Sequence, residues 1–183
     1  MKLRFTSPHE QQPGAIASLL KRSYANLAES DPKRWAPEIM KWEDFDAEVF
    51  QHPDTIGSCV FLSWFGDQLV GFGSYDPRQQ PAFGVVGHNC ILPEFRGRGF
   101  GEEQILEILR RLQSRGIRKA KVSTGAHPFF VPAQRMYIAC GFRETRRVPS
   151  DIDPSESVIE YEMELANQAI EAIGGPGPPQ AEA

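Results

Sequence analysis

The sequence is poor in cysteine and in long apolar runs, and both shortages exclude classes of protein. Its 183 residues include three cysteines, Cys59, Cys90 and Cys140, which are widely spaced and form no CxxC pair. This disfavours a disulfide scaffold and a thiolate zinc site, and we predict no metal. No apolar stretch approaches the roughly 18 residues of a membrane-spanning helix, and the first residues lack the apolar region of a signal peptide. We therefore expect a cytoplasmic protein with no membrane partner.

An excess of positive charge is also lacking. The 20 Lys and Arg against 24 Asp and Glu give a formal net charge of -4, which disfavours a nucleic-acid partner. The charge is unevenly distributed. Residues 29–48 hold seven acids and three bases, residues 151–164 hold six acids and no base, and residues 96–121 hold eight bases and three acids. Such a chain is suited to two ligands of opposite charge.

Strand and helix patterns alternate along the chain and predict an α/β (α+β) protein. A hairpin followed by β-α-β units predicts one mixed, mostly antiparallel central sheet with helices on both faces. We expect a single domain over residues 1–165 and a flexible Gly/Pro-rich tail over residues 166–183. The predicted strands are 2–6, 58–65, 68–75, 84–92, 117–124, 142–148 and 158–165, and the predicted helices are 14–27, 37–50, 100–115 and 132–140.

The segment 91–101, Ile-Leu-Pro-Glu-Phe-Arg-Gly-Arg-Gly-Phe-Gly, follows a predicted strand and opens the clearest predicted helix. Gly97, Gly99 and Gly101 remove side chains from the turn, so backbone N–H groups can converge with the free N–H groups of the helix. This arrangement suits phosphate or pyrophosphate. The segment lacks the Gly-Lys-Ser/Thr ending of a Walker A loop and the G-x-G-x-x-G spacing of a dinucleotide fingerprint. An arginine-rich surface turn without a ligand is the other interpretation.

Residues 96–101, Arg-Gly-Arg-Gly-Phe-Gly, resemble the R/Q-x-x-G-x-G/A signature of the GNAT superfamily of acetyl-CoA-dependent N-acetyltransferases. Residues 93–96, Pro-Glu-Phe-Arg, are similar to the lead-in of that signature. Residues 133–142 resemble the family's second motif, A-x-x-x-Y-x-x-x-G-F. The resemblance covers about residues 61–165, with Phe130 in place of an asparagine common in the family. It implies a GNAT-like fold, acetyl-CoA as acyl donor and an amine as acceptor, and it leaves a homodimer open.

The resemblance also implies roles for individual residues. Main-chain groups of Ile91 and Leu92 would bind the pantetheine arm, and Tyr137 would protonate the leaving thiolate. A phenol is a suitable donor because the sulfur gains charge as the thioester breaks. A core tyrosine is the other interpretation of Tyr137. The pyrophosphate would bind the loop formed by Arg96, Gly97, Arg98, Gly99, Phe100 and Gly101.

Attack on a thioester requires a neutral amine, so a group must accept a proton. His88 is the best candidate by chemistry because its ordinary pKa lies near neutrality. A histidine satisfied within the sheet is the alternative, and strand parity does not decide, since a bulge would change the face. His127, or a carboxylate such as Glu43 or Asp44, could also serve. A covalent route through a cysteine is disfavoured because no histidine partner is evident.

The acidic residues 29–48 also contain aromatic residues, and in the resembled family this part of the chain forms a wall of the acceptor site. Carboxylates with aromatic faces suit a cationic amine, and we name Trp35, Trp42, Glu43 and Asp44 as substrate-binding residues. The expected acceptor is a polyamine or an aminoglycoside-like compound. Solvent exposure is the other interpretation of these acids. A peptide amine acceptor and a non-catalytic acyl-CoA-binding domain are the alternative functions.

Overall fold

Seven strands form one sheet in the order β1-β2-β3-β4-β5-β7-β6. The computed structural model describes residues 2–150 and 156–165 of the chain. Among these residues β4 and β5 pair in parallel, and the other five neighbouring pairs are antiparallel. The predicted mixed, mostly antiparallel sheet is therefore confirmed. The strands are β1 (Arg4–Thr6), β2 (Val60–Phe65), β3 (Gln68–Asp76), β4 (Gly84–Ile91), β5 (Lys119–Gly125), β6 (Arg143–Pro149) and β7 (Ser157–Glu164).

Helices cover both faces of the sheet, as predicted. They are α1 (Ala15–Ser23), α2 (Ala25–Ser30), α3 (Pro32–Gln51), α4 (Phe100–Ser114) and α5 (Val131–Ala139). On one face Ile16 of α1 and Trp42 of α3 pack with Phe72 of β3. On the other face Ile105 of α4 packs with Tyr161 of β7. Each face thus has its own apolar core, and the sheet separates the two helical layers.

The N-terminal helices differ from the predicted boundaries. The predicted helix 14–27 is interrupted at Tyr24, whose backbone (φ -112°, ψ 12°) separates α1 from α2. Helix α3 begins at Pro32 and not at Pro37, because the Asp31 side chain accepts the Arg34 N–H at 3.2 Å and proline suits the first helical position. Pro37 stays inside the helix, where it removes one backbone donor.

The middle of β4 is irregular, and this irregularity shapes the centre of the molecule. Gly73 of β3 pairs with Asn89, but Tyr75 pairs with Val86, so β4 carries one extra residue between these pairs. The bulge contains Gly87 and His88. Strand β4 pairs with β5 only near its start, at Gly84 and Val85, and the two strands then separate. The separation opens a gap in the sheet.

Two features concern the ends and the surface of the chain. The predicted tail 166–183 lies outside the described residues, as do Asp151 and Asp153 of the acidic segment. Across residues 2–150 and 156–165, none of the helices combines the length and the apolar character needed to cross a membrane.

Candidate active site

The gap between β4 and β5 opens into a cavity of about 840 Å³. Its walls come from the β4 bulge, from the glycine-rich loop before α4, from the end of β5 and from α5. The cavity brings together most of the residues that the sequence singled out for catalysis and cofactor binding. Those that line it are His88, Ile91, Arg96, Gly97, Gly99, Phe100, Gly101 and Tyr137.

The glycine-rich loop turns into α4 through two residues in the left-handed region, Gly97 (φ 74°) and Gly99 (φ 80°). A Cβ atom at either glycine would have open space around it, so the positive φ and not crowding requires glycine. Within the described residues no side chain caps the N-terminus of α4. Its first N–H groups therefore remain available at the cavity wall. This geometry fits a pyrophosphate, which the helix dipole also favours.

The two arginines of the loop have different positions. The Arg96 guanidinium donates from Nε to the Ile91 carbonyl at 3.0 Å and from Nη2 to the Ser23 carbonyl at 2.8 Å. It therefore braces the loop against β4 and α1 while adding positive charge to the wall. The Arg98 guanidinium is exposed, lies over the Phe95 ring at 5.5 Å, and does not line the cavity.

Phe100 and Gly101 contribute to the site through backbone and packing. The Phe100 side chain is 4% exposed and packs in the core with Leu3 and Val70, so only its main chain can face a ligand. A Cβ at Gly101 would lie 2.6 Å from the Met136 sulfur. Glycine at this position therefore lets α4 and α5 approach closely at the cavity.

The backbone groups of Ile91 and Leu92, at the end of β4, point in different directions. The Leu92 N–H donates to the Val70 carbonyl of β3 at 2.8 Å. Backbone groups of an antiparallel strand alternate in direction, so those of Ile91 point away from β3 and toward the gap. Since the Ile91 carbonyl accepts from Arg96, its N–H is the group that faces the gap.

Tyr137 of α5 reaches the cavity from the α4–α5 layer. Its side chain is buried (4% exposed) and packs against Phe142 and Tyr161, with ring centroids 5.9 and 6.0 Å away. The Asn89 amide nitrogen donates to the Tyr137 hydroxyl at 3.4 Å. Burial raises the pKa of Tyr137 above its usual range, and the Asn89 hydrogen bond opposes this effect. The phenol is therefore protonated at neutral pH and able to donate.

His88 lies on the β4 bulge, and its side chain faces the helical layer that contains α3. Its imidazole and the ring of Phe45 have centroids 5.0 Å apart. Although the residue is open to the cavity, desolvation by the surrounding protein lowers the pKa of His88, and the Glu38 carboxylate partly opposes this. The imidazole is thus neutral near pH 7 and able to accept a proton. His127, the alternative base, instead accepts the Phe129 N–H at 3.1 Å and stabilises a turn.

The four predicted acceptor-binding residues do not line the cavity. Trp42 is buried in the core (3% exposed), and Trp35 packs against Tyr24 behind the cavity wall. The Glu43 carboxylate is bound to Lys21 at 2.5 Å in a separate surface depression, and Asp44 is exposed. Acidic composition alone does not reveal which face of α3 carries each carboxylate.

The acidic residues of β7 are paired with bases on neighbouring strands. Glu160 binds Arg146 of β6 at 2.6 Å, and Glu162 binds Lys121 of β5 at 2.8 Å. These carboxylates lie on a partly exposed face of β7. They do not contribute an acidic wall to the cavity.

Sequence reasoning missed Tyr24, which lines the cavity from the break between α1 and α2. Burial raises the pKa of its hydroxyl well above the usual range. Its ring forms the centre of an aromatic cluster, with centroids 5.3 to 6.3 Å from those of Trp35, Trp42, Phe129 and Phe130. Asn89 was also missed. The apolar spacing of a helix does not indicate that a single residue at its end, such as Tyr24, faces a cavity.

The chain matches the sequence model of the acetyltransferase (GNAT) family over residues 17–142. Solved structures with a similar fold include a Desulfovibrio desulfuricans protein assigned to this family (17% identity, 90% of this chain and 99% of that chain covered, TM-score 0.68). They also include a Bacillus subtilis acetyltransferase in complex with CoA (16%, 90% and 100%, 0.61). A third is the NatC complex bound to Gag peptide and CoA (16%, 91% and 100%, 0.65). No curated protein matches the chain significantly. The family model covers more than half of the chain, and we conclude that this protein belongs to the GNAT family and is an acetyl-CoA-dependent N-acetyltransferase.

Proposed function

We propose that acetyl passes directly from acetyl-CoA to a primary amine in a ternary complex, with Tyr137 as general acid and His88 as general base. One observation carries the proposal. The cavity brings the uncapped start of α4, the β4 bulge and a protonated tyrosine to the same gap in the sheet.

The proposal gives the cofactor one orientation in the cavity. The pyrophosphate accepts hydrogen bonds from the backbone of the Gly97–Gly101 loop and the first turn of α4. The pantetheine arm then follows the free edge of β4, where the Ile91 N–H faces the gap. This path leads the thioester to the bulge and to Tyr137. Arg96 holds the loop and β4 together along the way.

The pKa of His88 is lowered and that of Tyr137 is raised, so the imidazole starts the reaction neutral and the phenol starts it protonated. His88 takes a proton from the amine, directly or through water, and the nitrogen lone pair attacks the acetyl carbon. The C–S bond breaks, the sulfur keeps its electron pair, and the Tyr137 proton neutralises it. The products are an N-acetylated amine and free CoA, and the proton held by His88 balances the one that Tyr137 gave.

The proposed acceptor is a small cationic amine. The aromatic cluster around Tyr24 and the Phe45–His88 pair offer ring faces to a cation, and Glu38 lies near His88. A bulky aminoglycoside would need several carboxylates, whereas Glu43 and Glu162 are engaged with lysines of the same chain. A slender amine such as a polyamine is therefore favoured.

A thiol-release screen with acetyl-CoA tests the acceptor. The panel contains spermidine, an aminoglycoside, a lysine peptide, a peptide with a free N-terminus, and glutamate as the acidic amine. We expect spermidine to give the highest kcat/KM. Turnover of glutamate alone would overturn the cationic acceptor, and preference for either peptide would favour peptide acetylation instead.

A further inference from the structure

The Asn89 side chain connects the β4 bulge to Tyr137. Its amide nitrogen Nδ2 donates to the Gly87 carbonyl at 3.1 Å and to the Tyr137 hydroxyl oxygen at 3.4 Å. One nitrogen thus uses both of its hydrogens, one on the backbone of the bulge and one on the phenol. Asn89 and Tyr137 both line the cavity.

The hydrogen bonds define which way the amide points. A backbone carbonyl such as that of Gly87 can only accept, so the group facing it must be the Asn89 nitrogen and not its oxygen. The same nitrogen faces Tyr137. The phenol oxygen therefore accepts from Asn89, and its own proton is free for a different partner.

The bulge that supplies this carbonyl is held in place from β3. The Ser74 hydroxyl donates to the His88 carbonyl at 2.7 Å, and a Cβ at Gly87 would lie 2.5 Å from the Ser74 oxygen. The backbone at residues 87 and 88 is thus fixed by close contact with Ser74. The Gly87 carbonyl of the bulge holds the Asn89 amide in place, and the amide in turn holds the Tyr137 hydroxyl.

We propose that Asn89 is a positioning residue that keeps the Tyr137 hydroxyl proton directed into the cleft, toward the sulfur of acetyl-CoA. The proposal rests on the proposed role of Tyr137 as general acid. As the C–S bond breaks, the sulfur takes the electron pair and the phenol proton, and the Asn89 N–H stabilises the phenolate that remains. The phenolate recovers a proton from the one released by the attacking amine.

The substitution Asn89→Asp tests this arrangement with little change in shape. A carboxylate cannot donate a hydrogen bond, so it accepts one from the Tyr137 hydroxyl. The hydroxyl proton then points toward residue 89 and away from the cleft. Hydroxylamine serves as the acceptor, because this small nucleophile is unprotonated at neutral pH and needs neither the base nor the acceptor wall. We measure protein-dependent CoA release and the Kd for acetyl-CoA in four proteins: wild type, Asn89→Asp, Tyr137→Phe and the double variant. Asn26→Asp makes the same chemical change on the exposed surface of α2 and is the control.

We expect Asn89→Asp to lower kcat at least about 10-fold in the wild-type background and less than about twofold in the Tyr137→Phe background. The Kd for acetyl-CoA is expected to stay within about twofold in all variants, and Asn26→Asp to match wild type. Equal losses of kcat in the two backgrounds would overturn the proposal, because Asn89 would then act on the fold and not through the phenol. Full activity of Tyr137→Phe, or no protein-dependent release at all, would overturn the general-acid assignment itself, and the role of Asn89 with it.

Discussion

The imidazole of His88 lies against the ring of Phe45, with centroids 5.0 Å apart, so helix α3 covers the candidate base from the side opposite to Tyr137. The His88 side chain therefore lies on the α3 side of the sheet, and the Tyr137 side chain reaches the gap between β4 and β5 from the α4–α5 side. In the proposed mechanism the amine approaches on the α3 side and the thioester lies in the gap, so acceptor and cofactor are kept apart.

His88→Gln is expected to lower kcat/KM about 10²-fold and to remove the acidic limb of its pH profile. Desolvation disfavours the imidazolium, so the wild-type limb should lie below the ordinary histidine value of about 6.5. The measurement is the ratio of wild-type to variant kcat/KM between pH 5 and pH 9, which cancels the titration of the amine itself. His52→Gln, at an exposed helix end, is the control. An unchanged pH profile in His88→Gln would exclude His88 as the base.

Gly99→Glu is expected to abolish acetyl-CoA binding. A Cβ at this position has open space, so the variant carries backbone strain from its positive φ but no clash, and it places a carboxylate at the proposed pyrophosphate site. Gly116 (φ 73°) follows the other end of α4 and also has open space. Gly116→Glu therefore introduces the same kind of backbone strain and the same negative charge as Gly99→Glu, but away from the loop. Calorimetric titration should show binding to Gly116→Glu and none to Gly99→Glu, and equal affinities would refute the loop assignment.

Cys90→Ala is expected to retain turnover. Burial raises the pKa of the Cys90 thiol to about 11. At pH 7 only about one molecule in 10⁴ then carries a thiolate, the form that attacks acyl groups. Mass spectrometry of the wild-type protein mixed with acetyl-CoA should show no acetyl adduct. A loss of turnover in Cys90→Ala together with an adduct on the wild type would instead indicate a covalent route.

Asp46→Ala is expected to destabilise the fold by about 2–4 kcal/mol. The buried Asp46 carboxylate of α3 accepts the N–H groups of Gly14, Ile16 and Ala17 at 2.6, 2.8 and 3.1 Å, and so caps α1 from another helix. Its removal leaves buried donors unsatisfied. Urea unfolding measures the loss, and Asp44→Ala, on the exposed face of α3, should change the free energy of unfolding by less than about 0.5 kcal/mol. Similar values for the two variants would contradict the capping role.

The sheet and the glycine-rich loop at Gly97–Gly101 could be predicted because each leaves a local signal, whereas Tyr137 was singled out only through the resemblance to a family motif. Alternating apolar residues mark strands, and glycines before an amphipathic helix mark an anion site. The break at Tyr24, the pairing of Glu43 with Lys21, and the Asn89–Tyr137 contact could not be predicted. Each depends on which residues meet across elements that are distant in the chain, 22 residues apart for Lys21 and Glu43 and 48 for Asn89 and Tyr137.

The most direct test of the account compares wild type with Tyr137→Phe, using the amine that the screen identifies. Both kcat for thiol release and the Kd for acetyl-CoA are measured on the same preparations. We predict that kcat falls about 10²-fold while Kd stays within about twofold, because the variant loses only the proton that the leaving sulfur requires. An unchanged kcat in a variant that still binds acetyl-CoA would contradict the central claim that Tyr137 is the general acid.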